Sequence, residues 1–105
     1  MPTGPVVVTA LFTPEEGQLD ALRAALVTSI PAVHAEPGCE LYAIHDGADG
    51  RIHMIEKWTT VDDLDVHGAG EAVAALGRAT AGLAADVTVT RMFPIPAGTS
   101  EQGLL

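Results

Sequence analysis

The sequence predicts an α+β fold in which one four-stranded antiparallel sheet carries helices on one face. Apolar, β-branched segments and segments with apolar residues at spacings of three and four follow the order strand, helix, strand, strand, helix, strand. A short polar turn joins the two middle strands, and 105 residues suit a single domain. This order is the ferredoxin-like split β-α-β arrangement. We assign residues 1–96 to the domain and residues 97–105 to a tail.

The first part of the chain predicts a strand followed by a long helix. Residues 6–12 are apolar on both faces, which is typical of a strand that is covered on both sides. Residues 13–16 have the pattern of a helix start, with Thr13 as the cap. Pro31 is expected to kink the last turns, and residues 36–38 are expected to end the helix. An apolar stripe at helical spacing supports this helix: Leu19, Leu22, Leu26, Ile30 and Val33.

The middle of the chain predicts a β-hairpin. Residues 40–46 and 51–59 have strand composition, and the polar, glycine-containing residues 46–50 form the turn between them. With that turn, His45 and His53 come close to each other across the ladder.

The last part predicts two helices and a final strand. Residues 61–67 form a short helix with acidic residues in its first turn, and the glycines of residues 68–70 interrupt it. Residues 71–84 form a second main helix whose small apolar residues allow close packing. Residues 86–93 alternate in polarity and predict a strand at the edge of the sheet. The polar tail is expected to be ordered only against a partner.

Composition excludes several classes of function. The chain has 14 acidic and 5 basic residues and a net charge of -9, which argues against binding nucleic acid or an anionic membrane surface. Cys39 is the single cysteine, so the chain can form neither an internal disulfide nor a thiolate metal site. We find no signal peptide and no apolar run long enough to cross a membrane. We therefore expect a cytoplasmic protein.

The strands also predict an assembly. A sheet covered by helices on one face leaves its other face open, and these strands are too apolar to face water. We expect a twofold-symmetric homodimer with the two sheets face to face.

Several short motifs, in order, resemble those of one family. After the first strand come Thr13-Pro14-Glu15-Glu16-Gly17, then Glu36-Pro37-Gly38-Cys39, Glu56-x-Trp58 and Asp63-Leu64-x-x-His67. Over about residues 5–93 the chain resembles the antibiotic biosynthesis monooxygenase domain, which includes small quinol monooxygenases. The resemblance implies a dimeric α/β barrel. It also implies a monooxygenase that uses O2 on a small quinol-like or polyphenolic aromatic substrate, with no flavin, metal or haem.

This chemistry needs a base and an apolar pocket, and the resemblance points to residues for both. His67 is the first candidate for the proton acceptor; its alternative role is to cap the end of the short helix. Trp58 is expected to form a wall of the pocket, or else to be a core tryptophan whose N–H is bonded. Glu56 lies on the same strand face and, if buried, needs a partner such as Arg91 or Lys57. Tyr42 is a candidate hydrogen-bond donor to the substrate.

Three further residues complete the candidate site. His53 is the second candidate for proton transfer, and His45 and Thr9 are candidates for contact with the substrate. His45 and His53 could pair on a metal, but a metal site needs three or four ligands, so we expect none. Cys39 follows a helix end and has no feature that would activate its thiol.

Absent residues narrow the chemistry. The chain has no asparagine, and its second main helix has no histidine. Haem-degrading members of the family use both, so haem degradation is not expected, and Thr9 cannot replace an amide that both donates and accepts. Two alternatives to the oxygenase stay open: a dimeric protein that binds a small molecule without turnover, and an isomerase or cyclase on the same scaffold.

Overall fold

The structure, a computed structural model, describes residues 4–105, so the first three residues of the predicted domain lie outside it. The strands and helices follow the predicted order, with one extra short helix in the tail. The strands are β1 (Val6–Pro14), β2 (Cys39–Asp46), β3 (Ile52–Trp58) and β4 (Ala84–Met92). The helices are α1 (Leu19–His34), α2 (Val61–Gly68), α3 (Glu71–Thr80) and α4 (Ser100–Gly103).

The four strands form one antiparallel sheet in the order β2-β3-β1-β4. The two strands that are central in space are the first and third in sequence, which is the ferredoxin-like arrangement. The predicted α+β fold is therefore confirmed, and β4 lies at an edge as expected. His45 and His53 are direct partners in the β2–β3 ladder, also as expected.

Strand alternation gives the sheet two different faces. In β3, every second residue from Ile52 to Trp58 is buried. These residues and their partners in β1 form the core with the inner side of α1, where Leu22, Leu26 and Val33 are buried. The sheet therefore carries its core, and the candidate site described below, on the helix-covered face.

The first helix begins later than predicted. Thr13 and Pro14 continue β1, because Thr13 pairs with Asp86 and Pro14 pairs with Ala84 after a register shift. The Glu15 N–H then donates to the Leu83 carbonyl oxygen at 2.8 Å. This ladder with β4 outweighs the local capping pattern, so α1 starts at Leu19 without a side-chain cap.

Two other boundaries also differ from the prediction. The second main helix ends at Thr80 and not at residue 84, because Gly82 has a φ of +78°, which a right-handed helix cannot contain. In the tail, the Thr99 side chain accepts from the Gln102 N–H at 3.1 Å and caps α4. The tail thus contains a helical turn that was not predicted. Pro31 lies inside α1, which continues through it to His34.

Gly38 occupies a position that does not accept a side chain without strain. Its φ is +79°, and a Cβ there would clash with the Asp63 side chain at the start of α2. We expect Gly38→Ala to lower the free energy of unfolding by about 1–3 kcal/mol. The matched control is Gly77→Ala in α3, where the new methyl meets nothing within 4 Å and is expected to stabilise by up to about 1 kcal/mol. Urea unfolding of both variants checks the pair, and equal effects would contradict the prediction.

Candidate active site

A cavity of about 340 Å³ lies between the helix-covered face of the sheet and helices α2 and α3. Its lining is mostly apolar and includes Val8, Ala10 and Phe12 of β1 and Leu76 of α3. The β4 side is open, because the lining residues Val87 and Val89 are 43% and 61% exposed. The polar side chains that carry chemistry line this cavity too: Tyr42, Glu56, His67 and Arg91.

His67 is paired with a carboxylate that lies far away in sequence. Its Nδ1 is 2.6 Å from Oε1 of Glu36, which lies in the loop between α1 and β2. A carboxylate accepts, so Nδ1 carries the hydrogen and a neutral His67 has its free lone pair on Nε2. This pairing fixes the ring in one tautomer and one orientation, as in carboxylate–histidine pairs that act as general bases.

The second ring nitrogen of His67, Nε2, has no hydrogen-bond partner among residues 4–105. Every fully buried side-chain nitrogen or oxygen among residues 4–105 has a hydrogen-bond partner. Glu36, through Nδ1, is the only partner His67 has in that part of the chain. Nε2 is therefore not fully buried, and since His67 is only 5% exposed and lines the cavity, we infer that Nε2 opens into the cavity. A ligand with an acidic O–H can therefore meet a base inside an apolar space.

Two aromatic rings hold the His67 ring in place. The Trp58 ring lies 4.5 Å from it, centroid to centroid, with 32° between the planes. The Tyr42 ring meets it edge-on at 5.5 Å. An indole face so close to an imidazole also stabilises the positive charge that forms when Nε2 takes a proton.

Trp58 does not line the cavity. It is completely buried behind His67, and its Nε1–H donates to Oε1 of Glu56 at 3.0 Å. The expectation of a Trp58 wall is therefore corrected, and the alternative, a core tryptophan with a bonded N–H, describes the structure. The reason is that Trp58 ends β3 at the covered side of the sheet, where the indole fills the core.

Glu56 is buried, and its partner is neither of the two cations proposed from the sequence. Lys57 lies near Glu40, and Arg91 pairs with Asp65, so the indole N–H of Trp58 is the hydrogen-bond donor to Glu56. Burial raises the pKa of Glu56, while the Trp58 hydrogen bond and the nearby His67 act in the opposite direction. Its carboxyl group therefore keeps a proton to higher pH than an exposed glutamate does.

This raised pKa predicts a pH-dependent stability effect for Glu56→Gln. The folded state binds the Glu56 proton more tightly than the unfolded state does, so the contribution of Glu56 to stability falls as pH rises above about 4.3, the ordinary glutamate value. The loss is about 1.4 kcal/mol for each pH unit between the two pKa values. The introduced amide cannot ionise and still accepts from Trp58, so the variant should gain stability relative to wild type between about pH 4 and pH 7. Urea unfolding at both pH values tests this, with exposed Glu71→Gln as the control; a constant difference would contradict it.

Tyr42 contributes a hydroxyl group that stays protonated. Burial raises the pKa of Tyr42, and the carboxylates of Glu56 and Glu36 raise it further. Tyr42 is buried on the cavity side of β2. Its hydroxyl can therefore donate a hydrogen bond to a ligand oxygen, and it cannot act as a base near neutral pH.

The other three predicted residues lie away from the cavity. Thr9 is on the opposite face of β1, since its neighbours Val8 and Ala10 line the cavity. His45 is exposed and its Nδ1 lies 3.1 Å from the His53 carbonyl oxygen. His53 lies at the hairpin end, where its Nε2 is 3.0 Å from Oδ2 of Asp49. The structure thus brings together Tyr42 and His67 and leaves Thr9, His45 and His53 outside.

Two residues at the site were not predicted as parts of it. Glu36 was assigned to a helix end and to a family motif, without a role in the site, although it lies 31 residues before His67 and contacts it. Arg91 was considered only as a partner for Glu56. Among residues 4–105, no group of three or more histidine, cysteine, aspartate or glutamate side chains is arranged to hold a metal ion, and no helix there is long and apolar enough to cross a bilayer.

Comparison with known proteins agrees with this architecture. Rv0793 from Mycobacterium tuberculosis is 38% identical over 66 residues, a region that spans 62% of this chain and 65% of that protein, just under two thirds of its length. Its solved structure superposes with a TM-score of 0.81 at 30% identity over 90% of this chain and 99% of the other.

Further solved structures share the fold. Protein SO0527 from Shewanella oneidensis has a TM-score of 0.79 at 28% identity, covering 87% of this chain and 91% of the other. A Caulobacter crescentus protein has a TM-score of 0.81 at 19% identity, covering 90% of this chain and 92% of the other, which supports the fold alone. The family model described as antibiotic biosynthesis monooxygenase matches residues 5–79, from β1 through most of α3. The chain therefore belongs to the antibiotic biosynthesis monooxygenase family.

Proposed function

We propose that this protein is a cofactor-independent monooxygenase that oxidises a small quinol-like or polyphenolic substrate with O2. The observation that carries the proposal is that His67 lines an apolar cavity with no hydrogen-bond partner on Nε2 among residues 4–105, while Glu36 fixes the tautomer through Nδ1. A base in such a place can remove a phenolic proton away from bulk water. A phenolate is electron-rich enough to react with O2 directly.

The proposed reaction balances without an added reductant. His67 Nε2 takes the hydroxyl proton of a quinol, and the carbon next to the resulting phenolate oxygen forms a bond to O2. His67 returns the proton to the terminal peroxide oxygen. The O–O bond then breaks, and one oxygen leaves with the ring hydrogen and that proton as water. The other oxygen stays as a carbonyl, so the product is a hydroxyquinone, and the quinol has supplied both electrons that reduce the leaving oxygen.

Two other features of the site support this use. The Tyr42 hydroxyl, which stays protonated, donates to the phenolate oxygen and stabilises its charge. The Trp58 ring next to His67 stabilises the transient imidazolium. The related protein Rv0793 carries the name "Putative monooxygenase".

We also propose that the protein works as a homodimer in the cytoplasm. The face of the sheet opposite the cavity carries half-buried apolar side chains in a single chain, including Leu11, Leu41 and Ile55. A second copy would cover this face. A free thiol at Cys39 suits a reducing compartment.

Oxygen consumption tests the activity. A panel of mono- and bicyclic hydroquinones is incubated with the enzyme under 18O2, and uptake is compared with autoxidation in its absence. We expect uptake above background and one 18O atom in each product molecule. No enzyme-dependent uptake with any member of the panel, or uptake without incorporation, would overturn the proposal.

One observation favours a second candidate function. The cavity contains a second titratable group, Glu56, whose pKa is raised by burial, in addition to His67. An acid and a base facing one space can move a proton between two positions of a substrate, which is the chemistry of an isomerase or cyclase. Turnover of the same substrates without O2, with no change in their oxidation state, would favour this function over the oxygenase.

A further inference from the structure

We propose that the substrate carries an anionic group, such as a carboxylate, which Arg91 binds at the β4 end of the cavity. This inference deepens the proposed function, because it assumes that the reacting hydroxyl lies at His67. Its anion-binding half rests on separate observations at Arg91.

Arg91 completes a row of side chains that crosses the sheet on its cavity side. In the ladders, Tyr42 pairs with Glu56, Glu56 with Val8, and Val8 with Arg91. All four residues line the cavity. The row is therefore polar at both ends, with Tyr42 and Glu56 near His67 and Arg91 on the edge strand.

Arg91 is the only lysine or arginine that lines the cavity within residues 4–105. The whole chain has a net charge of -9, so the permanent positive charge of Arg91 contrasts with the negative charge of the rest of the protein. Beyond the row, the floor of the cavity is apolar, with Met54, Ala10 and Val89 in the next row. An anion that enters can find its compensating charge at Arg91 alone.

Asp65 orients Arg91 without saturating it. The Arg91 Nη2 donates to Oδ1 of Asp65 at 2.7 Å, and this is the one side-chain hydrogen bond of Arg91 in residues 4–105. A guanidinium group has five N–H donors in a planar fork, so most of them are free for a second carboxylate. Both side chains are about half exposed, and such surface pairs are weak, so a ligand carboxylate can compete with Asp65.

The dimensions select a rigid aromatic acid. Neighbouring strands lie about 4.8 Å apart, so the backbones of Glu56 and Arg91 are separated by roughly 10 Å. This distance suits an aromatic body with a hydroxyl at one end and a carboxylate at the other. A cavity of about 340 Å³ also exceeds the roughly 150 Å³ that holds a benzene molecule, so it accepts two fused rings.

The test compares a matched acid and neutral ligand. The full-length protein is titrated by calorimetry, without O2, with 6-hydroxy-2-naphthoate and with 2-naphthol, which lacks the carboxylate. We expect the wild type to bind the acid about tenfold or more tightly than the naphthol, as for a charge-assisted bidentate contact. Arg91→Gln should reduce that preference to about twofold or less and leave naphthol binding unchanged.

Asp65→Asn supplies a test in the opposite direction. It removes the competing carboxylate, so the affinity for the acid should rise severalfold while the affinity for naphthol stays the same. Arg78→Gln is the matched control, because Arg78 is an exposed arginine paired with Glu71 outside the cavity lining. This variant should behave as wild type.

Three results would overturn the proposal: no preference for the acid in the wild type, a preference that survives in Arg91→Gln, or no binding of either ligand. None of these depends on turnover. If the acid binds through Arg91 but no oxygen is consumed, the oxygenase proposal fails and this one stands. If neutral quinols are oxidised and the protein does not bind the acid more tightly than the naphthol, this proposal fails and the oxygenase proposal stands.

Discussion

The His67→Gln variant is expected to lose about 10²–10⁴-fold in kcat/KM for quinol oxidation, measured as oxygen consumption. Glutamine occupies similar space and can still reach Glu36, but its amide cannot take a phenolic proton. The substrate then has to ionise unaided before it reacts with O2. Glu36→Gln should lower the same rate by less, because its amide oxygen can still accept from Nδ1 of His67.

The matched control for this experiment is His53→Gln. His53 lies at the hairpin end beside Asp49, outside the cavity lining, so its replacement should leave the rate unchanged. A folded His67→Gln variant with wild-type activity would contradict the assignment of His67 as the base. Loss of activity in both variants would contradict it as well, because the effect would not follow the cavity.

Trp58→Ala is expected to lower the free energy of unfolding by about 3–5 kcal/mol. The indole is fully buried, packs 4.5 Å from His67, and supplies the N–H that Glu56 accepts. Removing it leaves both a cavity and a buried carboxyl group without its donor. Urea unfolding followed by circular dichroism measures the effect, since Trp58 is the single tryptophan of the chain.

Two further variants separate packing from hydrogen bonding at Trp58. Trp58→Phe keeps most of the ring and should cost about 1–3 kcal/mol, chiefly through the unpaired Glu56. Combining it with Glu56→Gln should recover part of that loss, because the second change removes an unpaired ionisable group. A loss below about 1 kcal/mol for Trp58→Ala would show that the indole is not a structural support of the site.

The fold was predictable because its local signals agree with one another. Each element is marked by an apolar run, and the elements are separated by a polar turn or by glycine-containing segments. Their order along the chain predicts the ferredoxin-like arrangement. The predicted start of the first helix was wrong because that boundary depends on long-range pairing. Thr13 has the chemistry of a helix cap, but its place in the ladder opposite Asp86 is set by β4, which lies near the other end of the chain.

The site was less predictable than the fold for the same physical reason. In β1, residues on both faces are apolar, so alternation alone could not decide whether Thr9 or its neighbours Val8 and Ala10 face the cavity. His67 was found through its place in the family motif Asp63-Leu64-x-x-His67, at the end of a short helix. Its partner Glu36 is 31 residues away and was recognisable only as part of a family motif. A contact between a loop and a distant helix leaves no periodic signal in either segment.

The open β4 side of the cavity is expected to affect the rate at which ligands enter it. Val87 and Val89 line the cavity and are also exposed to solvent. Small molecules, including O2, can therefore enter the cavity from solvent at the β4 edge of the sheet. Entry by this route requires neither the movement of a helix nor the local unfolding of a segment. We therefore expect the rate of substrate binding to fall in proportion to solvent viscosity when sucrose is added. Enzymes whose turnover is limited by the opening of a lid should behave differently.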